Sequence, residues 1–103
     1  MTGAATVVTY SVSDENGERL HNLVETLLIP AARDAQGYRG FLLLNQGDGK
    51  RLAVVLCDGI ESAKALQSVL GPIARDHIYP LMTSPSIGTL STVVLSDGVC
   101  SLE

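Results

Sequence analysis

The sequence predicts an α+β domain of the ferredoxin-like kind, βαββαβ, with a four-stranded antiparallel sheet and both helices on one face. Three observations lead there. The apolar pattern changes period in the order strand, helix, strand, strand, helix, strand. The two middle strands flank Gly47-Asp48-Gly49, and an Asp-Gly pair between apolar runs marks a hairpin because the tight turn needs positive φ angles. Two right-handed crossovers around such a hairpin give this arrangement of four strands.

A β-branched, alternating run from Thr6 to Ser13 reads as the first strand. Asp14-Glu15-Asn16-Gly17 ends it, and Asp14 or Asn16 is suited to cap a helix. Leu20, Leu23, Val24, Leu27, Leu28 and Ala31 then recur at spacings of three and four, predicting a helix to about Asp34. Pro30 lies inside that stripe and is expected to kink it. Tyr38 to Gln46 and Lys50 to Cys57 form the hairpin. Asp58, with Glu61 three residues on, has the capping-box pattern for a second helix carrying Ile60, Ala63, Leu66, Val69, Leu70 and Ile73. Gly71-Pro72 is expected to interrupt this helix, leaving a short turn over Ala74 to Tyr79. Pro80 to Pro85 reads as loop and Ile87 to Leu95 as the last strand. Neither an internal repeat nor a low-complexity tract is visible.

With 103 residues the chain has room for one domain, residues 1–103, with its core over about 6–95. It is 46% hydrophobic and 17% charged, the composition of a folding chain rather than a disordered one. A net charge of -4 and seven scattered Lys and Arg residues argue against nucleic acid or an anionic membrane as partner. No stretch approaches the roughly 20 apolar residues of a membrane span, and Met1 to Ala5 lacks the start of a secretion signal. Cys57 and Cys100 show no scaffold or CxxC spacing, so a reducing cytoplasm is expected. Leu102-Glu103 has the look of a cloning remnant and carries no weight.

The hairpin strands are apolar on both faces. Phe41 and Leu43 point opposite to Leu42 and Leu44, and Leu52, Val54 and Leu56 oppose Ala53, Val55 and Cys57. Two helices cover one face only. Leaving the other wet would forfeit several kcal/mol at about 25 cal/mol per Å². Pairing with a second copy through that face, about a twofold axis, is therefore expected.

Ile29-Pro30-Ala31-Ala32-Arg33, then Gly37-Tyr38-Arg39-Gly40 leading into Phe41 to Leu44, then Gly49 to Leu56, then Ile60-Glu61-Ser62-Ala63, resemble the antibiotic biosynthesis monooxygenase family over about Thr6 to Leu95. The resemblance implies a dimeric α+β barrel and a pocket in each subunit between helices and sheet. It also implies oxidation of a small aromatic or polyketide-type molecule by molecular oxygen with no metal or flavin. A non-catalytic dimeric module binding a small apolar ligand is the alternative, and haem binding or degradation, known among related barrels, the second. The family often has a Trp near the end of the third strand; here Cys57 stands there and the chain has no Trp. The haem-degrading relatives use an Asn on the first strand, where this chain has Tyr10.

Among candidate site residues, His77 continues the Leu66, Leu70, Ile73 stripe and is expected to point inward, as a general base or as a haem ligand. The bland alternative is a helix-end histidine tied to backbone or water. Tyr10 is the second catalytic candidate. Tyr79, Arg39 and Tyr38 are the ligand-binding candidates, set against ordinary structural roles for buried rings and an exposed strand-start arginine. His21, Asn45 and Gln46 read as solvated, and Cys57 as an inert small hydrophobe. No ligand spacing for a metal, no GxSxG elbow and no phosphate loop is present. The resemblance implies that no cofactor is needed, with haem as the exception that His77 would allow.

Overall fold

A computed structural model describes residues 3–84 and 86–94. The end of the last expected strand at Leu95, and Cys100, Pro85 and Leu102-Glu103, lie outside the described residues. Four strands, β1 (Ala4–Ser11), β2 (Tyr38–Gly47), β3 (Lys50–Cys57) and β4 (Ile87–Thr92), form an antiparallel sheet in the order β2-β3-β1-β4. This is the expected ferredoxin-like arrangement, with the first crossover between β1 and β2 and the second between β3 and β4.

The first crossover is helical from α1 (Asp14–Leu23) through a π-helical turn (Val24–Leu28) to α2 (Ile29–Arg33). Its cap is Ser13, not Asp14 or Asn16: the Ser13 hydroxyl accepts from the Asn16 backbone N–H at 3.3 Å. Asp14 and Glu15 fall in the first turn instead, where their charges suit the helix dipole. The wide turn just before Pro30 gives the proline ring room against the carbonyl of Thr26, so the helix continues past it.

The second crossover runs from α3 (Ile60–Ile73) through another π-helical turn (Ala74–Ile78) into a 3₁₀ turn (Tyr79–Leu81). Pro72 stays within α3 and does not end it. The expected Asp58 cap is not made. Gly59 occupies the cap position, while the Asp58 carboxylate accepts from Arg39 Nε. An ion pair to a neighbouring strand holds the side chain away from the helix end.

The two π-helical turns explain a shared pattern. Inward positions repeat strictly every four residues: Leu20, Val24, Leu28, Ala32 in the first crossover and Leu66, Leu70, Ala74, Ile78 in the second. A four-residue repeat drifts by about 40° per step round a helix of 3.6 residues per turn. A wider turn takes that drift out and keeps the stripe over the sheet.

The hairpin is a bulged turn. Gly47, Asp48 and Gly49 all have positive φ, and the Asn45 side chain caps it by accepting from the Gly47 N–H at 2.9 Å. Gly49 also lies against the end of β1: its carbonyl accepts from the Val12 N–H at 2.8 Å, and a Cβ there would sit 2.7 Å from the Val12 oxygen.

On the sheet's helix side, Ala4, Thr6 and Tyr10 of β1 and Ala53, Val55 and Cys57 of β3 are buried. The opposite side carries Leu42 and Leu44, exposed at 46% and 43%, Leu52 and Val54, half-buried, and Leu56, buried. Isolated large apolar residues on a surface are ordinary, but a contiguous sheet face of them is not.

Candidate functional site

Alternation along β1 turns Thr6, Val8 and Tyr10 toward the helices, and the register brings Val55 and Ala53 of β3 beside Thr6 and Val8. Phe41 and Leu43 extend this floor onto β2. Val24 and Leu28, from the first π-helical turn, and Ala74 and Ile78, from the second, form much of the roof. Between floor and roof is a cavity of about 310 Å³, within the range of small-molecule sites, about 300–1,000 Å³. That both irregular turns line it agrees with the tendency of π-bulges to occur where a helix must shape a site.

The wall is apolar apart from a few groups. Thr6 Oγ1 accepts from Gln67 Nε2 at 3.2 Å. Tyr79 and Ser86 stand where the cavity adjoins a shallow surface hollow, together with Met82. Tyr10 is 6% exposed, and its hydroxyl has no hydrogen-bond partner. Burial pushes the Tyr10 phenol above its ordinary value, and the nearby Arg51 charge works the other way. It therefore stands as a neutral O–H, able to donate. Among the described residues lining the cavity there is no Asp, Glu, His, Lys, Arg or Cys.

Tyr10, Leu20 and Leu43 also form one wall of a second, polar cleft of about 440 Å³ that includes Glu18, His21, Asn45 and Arg51. Arg51 Nη1 donates to Asn45 Oδ1 at 2.7 Å, and His21 Nε2 lies 2.7 Å from Glu25 Oε1 in an exposed pair.

The sequence-predicted residues do not converge. Tyr10 and Tyr79 both line the cavity, Tyr10 buried and Tyr79, 45% exposed, at its edge. Tyr38 packs against the separate core cluster around Cys57 and Leu66, its phenol raised first by burial, with Arg33 opposing and Cys57 adding. Arg39 is bound to Asp58. His77 is exposed, contrary to the inward orientation expected of it. The cause is the π-helical turn over Ala74–Ile78, which delays the inward phase by one residue and puts Ile78, 3% exposed, where His77 would have pointed. Cys57 is buried, free and raised by burial and by Asp58, as an inert thiol is. The described residues contain no cluster of three metal-ligating side chains, and no helix of the described residues is long and apolar enough to cross a membrane.

Sequence reasoning missed Thr6 and Gln67. The signal for Thr6 was available, since strand alternation puts it on the face of Tyr10. Gln67 lies beside the helix stripe rather than in it, and only the register of α3 over β1 brings it to Thr6.

No family profile and no curated protein matches the sequence. Solved structures match throughout. A Nitrosomonas europaea protein classed provisionally as an antibiotic biosynthesis monooxygenase is 17% identical, with a TM-score of 0.77 over 93% of this chain and 94% of its own. SnoaB, a cofactor-independent oxygenase from Streptomyces nogalater, is 16% identical, with a TM-score of 0.74 over 91% of this chain and 95% of its own. MhuD, a heme-degrader from Mycobacterium tuberculosis solved with two hemes bound in its active site, is 21% identical, with a TM-score of 0.70 over 92% of this chain and 99% of its own. The chain has the fold of the antibiotic biosynthesis monooxygenases, as its sequence resemblance implied.

Proposed function

We propose that this protein is a cofactor-independent monooxygenase acting on a small aromatic or polyketide-type molecule held in the cavity beneath the helices. One observation supports it above the rest: an almost wholly apolar cavity lined by the buried Tyr10, whose hydroxyl is left without a partner. A buried polar group unsatisfied by the protein costs about 1–3 kcal/mol, and a bound molecule with an oxygen at that point offsets the cost. The fold shared with a cofactor-independent oxygenase supports the same reading.

In this reading the substrate carries an acidic methylene next to a carbonyl or phenol. Desolvation in the cavity and a hydrogen bond from Tyr10 to the oxygen that gathers negative charge favour loss of the methylene proton to water at the mouth. The carbanion passes one electron to molecular oxygen, the radical pair joins into a peroxide anion that takes the proton back from water to give a hydroperoxide, and loss of water leaves a carbonyl. The balance is R₂CH₂ + O₂ → R₂C=O + H₂O, with the substrate as the only reductant. Tyr79 would flank the ligand at the cavity edge. The protein would work in the cytoplasm as a homodimer paired through the helix-free face that carries Leu42 and Leu44.

A second reading, a non-catalytic binding module, is favoured by the lack of any strong base among the described lining residues. Oxygen uptake with 1,8-dihydroxyanthrone separates the two. Consumption of one O₂ per substrate, above the buffer rate and slowed in Tyr10→Phe, supports catalysis. Tight binding with uptake at the buffer rate leaves the binding module. Haem held by His77 does not fit these residues. His77 faces solvent, the described lining offers no imidazole or thiolate, and burial of Tyr10 disfavours the phenolate that would ligate iron.

A further inference from the structure

We propose that Gly71 and Gly88 are the two banks of a slot between α3 and β4 through which an aromatic ligand reaches the cavity, and that their missing side chains keep this slot open. The inference rests on the cavity being a ligand site, as proposed above.

Both glycines line the cavity. Neither is required by backbone conformation, since positive φ among the described glycines is confined to Gly37, Gly47 and Gly49. Close packing does not require them either. A Cβ on Gly71 would meet nothing within 4 Å, and one on Gly88 would meet Val8 Cγ2 at 3.8 Å, an ordinary contact. Gly37 shows the contrast: its φ is +89°, and an added Cβ would lie 2.6 Å from the Ser62 Cβ. Glycine inside a helix or a strand weakens that element, so two glycines with open space before them leave an unexplained cost.

Pro72 offers a local explanation for Gly71, because a side chain before proline crowds its ring in a helix. Ile29 answers it. A β-branched residue precedes Pro30 within this chain's own first helical crossover, and the helix is continuous there. What remains is the space itself. Gly88 pairs with Val8 on the helix side of the sheet, yet it is exposed, so no described residue covers the sheet at that point. Gln67, hydrogen-bonded to Thr6, lines the cavity with the two glycines, as do Tyr79 and Ser86.

The test is stopped-flow fluorescence of 1,8-dihydroxyanthraquinone, a planar probe, binding to the whole chain and to Gly71→Leu, Gly88→Val and Gly71→Ala. The two bulky variants fill the slot from opposite banks, so one misfolded variant does not void the test, and circular dichroism confirms each fold. Association is expected to slow about ten-fold or more in Gly71→Leu and Gly88→Val. Gly71→Ala, which adds only a methyl, is expected to slow association less than Gly71→Leu while its melting temperature rises by roughly 2–8 °C. Wild-type association rates in both folded bulky variants overturn the slot and leave the cavity reading standing. Failure of the wild-type chain to take up the probe overturns both.

Discussion

Tyr10 and Arg51 face each other across the β1–β3 pair, yet they share no hydrogen bond. Arg51 Nη1 turns away to Asn45 Oδ1 at 2.7 Å and to the Lys50 carbonyl at 3.3 Å. The guanidinium thus lends Tyr10 its charge without satisfying the hydroxyl. Removing the hydroxyl is then expected to help the empty protein and harm the loaded one. Tyr10→Phe should raise stability by about 1–2 kcal/mol, or roughly 4–8 °C or more in melting temperature. It should weaken binding of 1,8-dihydroxyanthraquinone about 5- to 10-fold. Thermal unfolding and a fluorescence titration read the two effects. A lower melting temperature with unchanged affinity would remove Tyr10 from the site.

Three groups share one direction of titration. Cys57 is raised from its ordinary 9.0 by burial and by Asp58, and Tyr10 and Tyr38 from 10.0 chiefly by burial. A raised folded pKa means that the unfolded chain gives up its proton first as pH rises. Stability is therefore fully present below about pH 9 and falls as pH climbs through 9 and then 10. The melting temperature should be level from pH 7 to 9 and then decline. In Cys57→Ala the decline should begin nearer pH 10. A curve level to pH 11, or one identical in Cys57→Ala, contradicts the assignment.

His77 is the residue on which sequence and structure part most clearly, and a substitution decides between them. Exposed on the outside of the π-helical turn, it touches neither cavity nor cleft. His77→Ala is expected to leave anthraquinone affinity and oxygen uptake within about two-fold of wild type, as surface changes usually do. Any Soret spectrum obtained on adding haem should be the same in both proteins. Loss of the Soret band in His77→Ala would mean that the helix turns inward after all.

The fold was legible because its signals are local and repeat. The alternation of Thr6 to Tyr10, the stripes from Leu20 and from Ile60, and Gly47-Asp48-Gly49 each specify an element without reference to the others. The errors arose where one element answers to another. Asp58 resembles a cap until Arg39, on the neighbouring strand, takes its carboxylate. Ser13 became the cap because β1 ends at Ser11, earlier than its β-branched run suggested. His77 follows the stripe under the 3.6-residue period, and only a turn of different pitch puts it outside. For the site, strand alternation gave Tyr10, but its missing partner is a property of the packed interior, and no spacing rule could have found Gly71 or Gly88.

The helix-free sheet face gives the prediction on which the homodimer reading stands. Leu42 and Leu44 lie beside Val54 and Leu52 of β3 in register, and no helix of the described chain packs there. Burying such a face gains about 25 cal/mol per Å², whereas a carboxylate placed on it must be desolvated without a partner. A twofold interface doubles the penalty, because each substitution enters from both copies. Leu44→Glu should therefore shift the chain from dimer toward monomer in light scattering at micromolar concentration. Its melting temperature should fall and lose the dependence on protein concentration that a dimer shows. Leu42→Glu with Leu44→Glu should leave monomer alone. If wild type is already monomeric, or if the double variant scatters as a dimer, pairing through this face is wrong. The cavity would still open toward α3 and β4, because its lining comes from the opposite side of the sheet.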